Sequence, residues 1–394
     1  MTDDGVVIVG AGAAGLTAAE ELRRLGFDRR VILVGDESHE PYDRPPLSKA
    51  VLSGKWGAER TALRKADHYA AQAIELRLAV TVTAVDVGEH RLTLSSGETL
   101  DYGRLVIATG VAPRRPSFVG DLKGVFTVKT IDGSLAVREA LALAERVLVL
   151  GAGFLGTEIA ATARTLGRQV VVVDVLKAPL IRGLGPWMGG LVRELHAASG
   201  VEIRTGTAVQ GLTSRDGHVT GAALSDGTYV AADVVVVAVG SAPNTRWLEG
   251  SGLELDDGVL CDEFCFAAPD VVAAGDVARF HHRAYGRSLR LEHRTNATEQ
   301  GRAAVANLLA TPEDRRPFEP IPYFWTDQYA YKIQAYGITP PDADVRVVHG
   351  EPATRKFVAT YEVDGRTVGL VGWNSPRELR DLRGGLEFGR VDAR

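Results

Sequence analysis

The sequence predicts an α/β protein with two Rossmann-like dinucleotide-binding domains and an α+β C-terminal domain. Three observations carry this prediction. The pattern G-x-G-x-x-G occurs twice in the 394 residues. Each copy follows a short β-branched apolar run and opens a helical pattern, the order of a βαβ unit. Each unit then runs into a second strand that is followed or closed by an aspartate.

The first unit opens with VVIVGAGAAG, with a strand at Val6–Val9 and glycines at Gly10, Gly12 and Gly15. A helix, LTAAEELRRLG, leads to the strand RRVILVG and to Asp36. The second unit repeats the plan: RVLVLGAGFLG with Gly151, Gly153 and Gly156, the helix TEIAATARTLG, the strand QVVVVDV and Asp174. The last motif glycine and the helix-ending glycine are 11 residues apart in both, Gly15 to Gly26 and Gly156 to Gly167. In such a turn the first glycine permits the tight bend. The second lets a pyrophosphate approach the backbone, and the third lets helix and strand pack closely. Free N–H groups and the helix dipole then face the phosphates. An acid after the second strand accepts hydrogen bonds from the adenosine ribose.

The repeat extends past the motif. SSGETLDYGRLVIATGVAP follows the first unit and SDGTYVAADVVVVAVGSAP the second. Both read as a hairpin, a polar step, a buried strand and a glycine turn, at Gly110 and Gly240. Duplication of a whole dinucleotide-binding domain implies two dinucleotides. Beyond the Pro-rich stretch TPEDRRPFEPIPYF, the runs VRVVHG, KFVATYEV and RTVGLVGW alternate as strands before a final helical stretch.

Composition narrows the function classes. Lys+Arg 45 against Asp+Glu 50 leaves −5, so nucleic-acid binding is not expected. No run approaches the ~20 apolar residues of a membrane helix, and the start, MTDDG, lacks the basic region of a secretory signal. A soluble, cytoplasmic protein is expected, with no membrane partner. Two cysteines exclude a disulfide scaffold and a four-cysteine metal site, and no metal is expected. Cys261 and Cys265 are spaced C-x₃-C, which on one strand would hold them over ~12 Å apart, so both read as structural thiols. His281 and His282 read as surface residues, and Arg315–Arg316 as linker.

The motifs GAGAAG, VGDE (34–37), PYDRPPLSK (41–49), LVIATG (105–110), GAGFLGTE (151–158), AAGDVA (273–278) and FWTDQY (324–329) together resemble one family. It is the FAD-dependent ferredoxin reductases of bacterial oxygenase systems (the putidaredoxin, rubredoxin and biphenyl-dioxygenase reductase type), in the pyridine nucleotide–disulfide oxidoreductase superfamily. The resemblance implies a glutathione-reductase-like arrangement. A discontinuous FAD domain would span 1–112 and 241–316, an NAD domain 113–240 and a C-terminal domain 317–394. It implies FAD contacts at Gly10, Gly12, Ala14, Gly15, Asp36, Arg44, Lys49, Val82, Lys129, Asp276, Arg294 and Trp325. It implies nicotinamide dinucleotide contacts at Gly151, Gly153, Phe154, Gly156, Glu158, Asp174 and Gly240.

Lys49 and Glu158 are the implied catalytic pair, meeting near the flavin where hydride arrives. A positive charge there favours the reduced flavin, and the glutamate holds the lysine in place. Asp174 would repel the 2′-phosphate of NADPH and so favour NADH, a preference softened by Lys177 and Arg182. Lys129 stands where relatives often have arginine, and Arg294 where they often have tryptophan or another apolar residue. With no redox cysteine in HEPYDRPPLSK, electrons are expected to leave for an external acceptor, a [2Fe-2S] or similar small ferredoxin. Ferredoxins are usually acidic, so Arg290, Arg294 and Arg302 are candidate docking charges. Two alternatives stay open: an NADH oxidase or diaphorase acting on oxygen or quinone, and a non-catalytic NADH-sensing flavoprotein resembling apoptosis-inducing factor. The oligomeric state is not indicated.

Overall fold

A computed structural model describes residues 5–386. The β-branched runs become the centres of two parallel sheets. The first sheet runs, edge to edge, Phe266–Ala268, Val271–Ala273, Arg104–Ile107, Val6–Val9, Val31–Val34 and Ile74–Arg77. Its pairs are parallel except for the first, which is antiparallel. The second sheet runs Val201–Thr205, Gln169–Asp174, Arg146–Leu150, Val234–Val237 and Val125–Phe126, parallel throughout. Val6–Val9, Val31–Val34 and Val234–Val237 are buried along their whole length, as expected of parallel strands covered on both faces.

The duplication is visible element by element. The two glycine helices are Ala13–Arg24 and Phe154–Thr165, each 12 residues long. Each begins inside its glycine turn, three residues before the start read from sequence. Each domain carries a three-stranded antiparallel sheet just ahead of the strand that flanks its motif strand, Arg104–Ile107 or Val234–Val237, built from 82–101 in one and 209–231 in the other. After Gly110 and Gly240 the two equivalent segments meet. Val111–Pro113 pairs antiparallel with Ser241–Pro243 as a two-stranded link. Helix Arg294–Leu309 returns to pack on the first glycine helix so closely that a Cβ on Gly301 would stand 2.6 Å from the Ala14 carbonyl oxygen.

The C-terminal sheet is antiparallel and runs Tyr323–Gln328, Tyr331–Gly337, Arg366–Trp373, Lys356–Val363 and Asp344–Glu351. Its inner face buries Phe357, Tyr361 and Trp373 against Leu184, Met188, Val192 and Leu195 of helix Ile181–Ala198. At ~1.5–3 kcal/mol for each large buried side chain, this seam firmly joins the C-terminal sheet to the second glycine domain. The sequence patterns above do not assign that helix. It contains five residues, Gly183, Gly185, Pro186, Gly189 and Gly190, that read as breakers, and it is kinked at Gly185 (φ 71°). Nor do they assign strand Tyr331–Gly337, because the turn before it uses Tyr329 at φ 57° rather than a glycine. Among the described residues no helix is long and apolar enough to cross a membrane.

Candidate functional site

The two glycine turns have the same local geometry. A Cβ on Gly10 (φ 118°) would lie 2.1 Å from the Ala108 carbonyl oxygen, and one on Gly151 (φ 102°) 2.3 Å from that of Ala238. A Cβ on Gly15 would lie 2.0 Å from the oxygen of Gly10, and one on Gly156 1.9 Å from that of Gly151. These four positions exclude any side chain. Gly12 and Gly153 differ: a Cβ on either would meet nothing within 4 Å. Both are helix N-caps without a side-chain hydrogen bond, so the first amides of each helix are not capped by a side chain.

Gly10 and Gly12 open on a cavity of about 1180 Å³. Every FAD candidate named from sequence lines it except Gly15, which packs behind the turn: Gly10, Gly12, Ala14, Asp36, Arg44, Lys49, Val82, Lys129, Asp276, Arg294 and Trp325. An uncapped helix N-terminus, a backbone free of side chains and an acid at the strand end are the features a dinucleotide requires, so the residues present fit FAD. Of the nicotinamide candidates, Phe154 and Glu158 line the same cavity. Gly151, Gly153, Gly156, Asp174 and Gly240 stand apart from its lining. Asp174 is held by two backbone donors, the Ala152 N–H at 2.6 Å and the Leu176 N–H at 2.7 Å. Lys177 and Arg182 nearby are exposed.

At the meeting of the domains, the Lys49 ammonium donates to Glu158 Oε2 at 2.8 Å and to the Pro45 carbonyl at 3.1 Å. Ser48 donates to the same carboxylate oxygen at 2.6 Å, and Thr326 to Oε1 at 2.7 Å. Glu158 is buried, and three donors offset the cost of its charge. Proline-fixed backbone in PPLS sets the short 3₁₀ turn that presents Ser48 and Lys49 together.

Also in the cavity wall, Arg44 donates to Glu37 at 2.8 Å, to the Tyr42 hydroxyl at 2.8 Å and to the Lys129 carbonyl at 2.6 Å. Burial opposes its charge, but Tyr42 and Glu37 outweigh burial and raise its pKa. Lys129 and Asp276 face each other at 3.5 Å. Burial lowers the lysine and raises the aspartate, each shift opposed by the other's charge. Arg294 binds Asp43 and Thr298. His293 also lines the cavity, with Nδ1 buried and lacking a protein partner, and burial lowers its pKa to about 4.

Sequence reasoning missed Ser48, Glu37, Tyr42, His293, Phe324, Thr326 and Gln328. The strand period of two in FWTDQY was the available signal for Thr326 and Gln328, which share a face. Three expectations are corrected. Arg290 is not a free docking charge: its side chain is 12% exposed and donates to Asp257, Glu292 and the Asp276 carbonyl. His282 is fully buried against the Pro320 carbonyl rather than on the surface. Cys261 and Cys265 do not share a strand, because Val259–Cys261 ends first and Cys265 sits at φ 73°. Both thiols are buried and unpaired, and desolvation raises both, Cys265 to about 12.

Residues 4–301 match the pyridine nucleotide-disulphide oxidoreductase family, and 323–392 match a Reductase C-terminal domain. The chain belongs to the pyridine nucleotide-disulphide oxidoreductase family. It is 39% identical to the ferredoxin reductase subunit of 5,5′-dehydrodivanillate O-demethylase from Sphingobium sp., over 92% of this chain and 88% of that protein. It is 37% identical to putidaredoxin reductase of Pseudomonas putida, over 97% and 91%. The crystal structure of the covalent putidaredoxin reductase–putidaredoxin complex superimposes with a TM-score of 0.92 at 35% identity, covering 98% of this chain and 93% of that one. That superposition spans nearly the whole of both chains.

Proposed function

We infer that this chain is an FAD-dependent ferredoxin reductase. It moves electrons from NADH to a small iron–sulfur ferredoxin that feeds an oxygenase or cytochrome P450. The balance is NADH + 2 oxidised ferredoxin → NAD⁺ + H⁺ + 2 reduced ferredoxin. One observation carries the reading: the cavity joins the Lys49–Glu158 pair to a full set of dinucleotide-holding residues, with no cysteine in its lining. FAD, when bound, accepts a hydride and releases electrons singly.

The chain's own residues do the rest. The turn Gly10–Gly12 and the following helix N-terminus bind the pyrophosphate, and Asp36 binds the adenosine ribose. Arg44, Lys129 and Asp276 orient the remainder of the cofactor, while Val82, Arg294 and Trp325 bound it. The turn Gly151–Gly156 and Asp174 bind the NADH phosphates and ribose, and Phe154 and Gly240 flank its path. Lys49 sets a fixed positive charge at the place of transfer. The FAD domain comprises 1–112 and 241–316, the NAD domain 113–240 and the C-terminal domain 317–394. The protein works in the cytoplasm.

The test is reduction of the flavin-loaded protein by NADH in the presence of a panel of small ferredoxins. Reduction of two ferredoxins per NADH, weakened by salt while dye reduction is not, is the expected result. Oxygen consumption at the full rate of NADH oxidation, with no ferredoxin reduced, overturns the reading.

A further inference from the structure

Glu158 is 7% exposed, and four polar side chains behind it, Thr157, His196, Thr326 and Gln328, are 0% exposed. They come from three elements, helix Phe154–Thr165, helix Ile181–Ala198 and strand Tyr323–Gln328. A buried polar group without a partner is costly, so their hydrogen-bond directions are constrained.

The direction follows step by step. Glu158, ion-paired to Lys49, only accepts, so the Thr326 hydroxyl donates to it at 2.7 Å. Thr157 donates to the Gly153 carbonyl at 2.9 Å, so its oxygen accepts from the Gln328 amide nitrogen at 2.9 Å. The same nitrogen reaches the Thr326 oxygen at 3.4 Å. The Gln328 carbonyl oxygen must then accept, and among the described residues the donor on it is His196 Nε2–H at 2.8 Å. His196 is thereby held as the Nε2–H tautomer, and its bare Nδ1 accepts from the Tyr329 hydroxyl at 3.2 Å. This proton arrangement satisfies every member, and its donors point toward Glu158 and toward the carbonyls of Gly153 and Phe154 at the second glycine turn.

We propose that His196, outside the cofactor cavity, is a positioning residue for the Lys49–Glu158 pair, acting through Gln328 and Thr326. His196 orients the Gln328 amide. Gln328 fixes the Thr326 hydroxyl, and Thr326 completes the donor set that keeps Glu158 facing Lys49. The same amide steadies Thr157 on the glycine turn. The C-terminal sheet therefore contributes two side chains to the place of transfer rather than only covering it. The proposal rests on the reading that Lys49 and Glu158 sit where hydride arrives.

The test uses the flavin-loaded full chain. His196→Leu removes the donor to Gln328, and His196→Gln keeps an N–H at the Nε2 position. Stopped-flow bleaching by NADH gives the limiting rate separately from NADH affinity, and dye equilibration gives the flavin midpoint potential. His196→Leu is expected to lower the limiting rate roughly tenfold, the worth of one buried hydrogen bond, with NADH affinity little changed. Its potential moves to more negative values, and His196→Gln restores both. In a Glu158→Gln background, His196→Leu adds no further loss of rate although it still lowers the melting temperature. Equal losses of rate in both backgrounds mean a merely structural role and overturn the proposal. If His196→Leu does not fold, Thr326→Val removes the last donor isosterically, and an unchanged rate and potential there overturn it equally. A Glu158→Gln variant with the wild-type rate and potential refutes the underlying reading instead.

Discussion

Lys49 and Glu158 are separated by 109 residues in the chain and by 2.8 Å in the fold. The lysine closes a proline-fixed turn whose Leu47 packs in the core of the second sheet, and the glutamate lies on the helix of the second glycine motif. Their contact is therefore a measure of how the two dinucleotide domains meet. Removing one partner of a buried pair leaves the other uncompensated, at a cost of about 3–5 kcal/mol. Glu158→Ala is expected to lose the lower end of that range, because Lys49 keeps the Pro45 carbonyl and some solvent. Urea unfolding measures it. Lys49→Ala is expected to slow flavin bleaching by NADH at least about tenfold, which stopped-flow absorbance reads directly.

The glycines of one motif are predicted to fail differently. Gly12→Ala places its methyl where no protein atom stands within 4 Å, and at φ −93° alanine adopts the backbone without strain. It should fold with near wild-type melting of the apoprotein and lose FAD affinity, since the methyl occupies the phosphate approach. Gly15→Ala puts a Cβ 2.0 Å from the Gly10 carbonyl oxygen and should yield little folded protein. Circular dichroism and flavin titration separate the outcomes. The same contrast is expected of Gly153→Ala and Gly156→Ala, now in NADH affinity.

This difference explains what the sequence could and could not disclose. Motif glycines, parallel strands and acids lie within about 25 residues of one another, and local pattern carries them. The two glycine helices and the strand Val6–Val9 follow from that pattern, although the helices start three residues earlier, at Ala13 and Phe154, than their apolar period suggests. The donors on Glu158 come from residues 48, 49 and 326, and no local periodicity links such distant positions. Helix Ile181–Ala198 was hidden by its glycines and proline, which tertiary packing against Trp373 and Tyr361 overrides. Arg290 looked like a surface charge because sequence cannot show Asp257 and Glu292 beside it.

Asp174 is hydrogen-bonded into the second glycine turn. Its carboxylate accepts the Ala152 N–H on one oxygen and the Leu176 N–H on the other, so it braces the turn. Asp174→Ala should raise KM for NADH through the loosened turn and, by removing the charge that repels a 2′-phosphate, narrow the NADH/NADPH ratio of kcat/KM. Steady-state kinetics with both nucleotides checks it, and an unchanged ratio contradicts the assignment.

Both cysteines are buried, and desolvation holds each thiol protonated far above neutral pH. Thiolate is the reactive form, so native protein should not react with a disulfide reagent. After unfolding, two thiols should titrate. NADH reduction should leave that count unchanged, as required if no cysteine carries electrons.

His293 sets a pH dependence of stability. Burial lowers its pKa from 6.5 to about 4, with Glu292 opposing the shift only in part. Between these values the unfolded chain binds a proton that the folded chain refuses. The contribution is therefore fully present above about pH 6.5, falls as the pH drops toward 4, and stops changing below that. A shift of this size corresponds to about 3 kcal/mol at most. Burial lowers His196 and His282 as well, so they add to the slope in the same direction. Melting temperature measured from pH 8 to pH 4 should fall through this window. His293→Asn, which cannot take up the proton, should flatten the fall while leaving the plateau above pH 7 near its wild-type value.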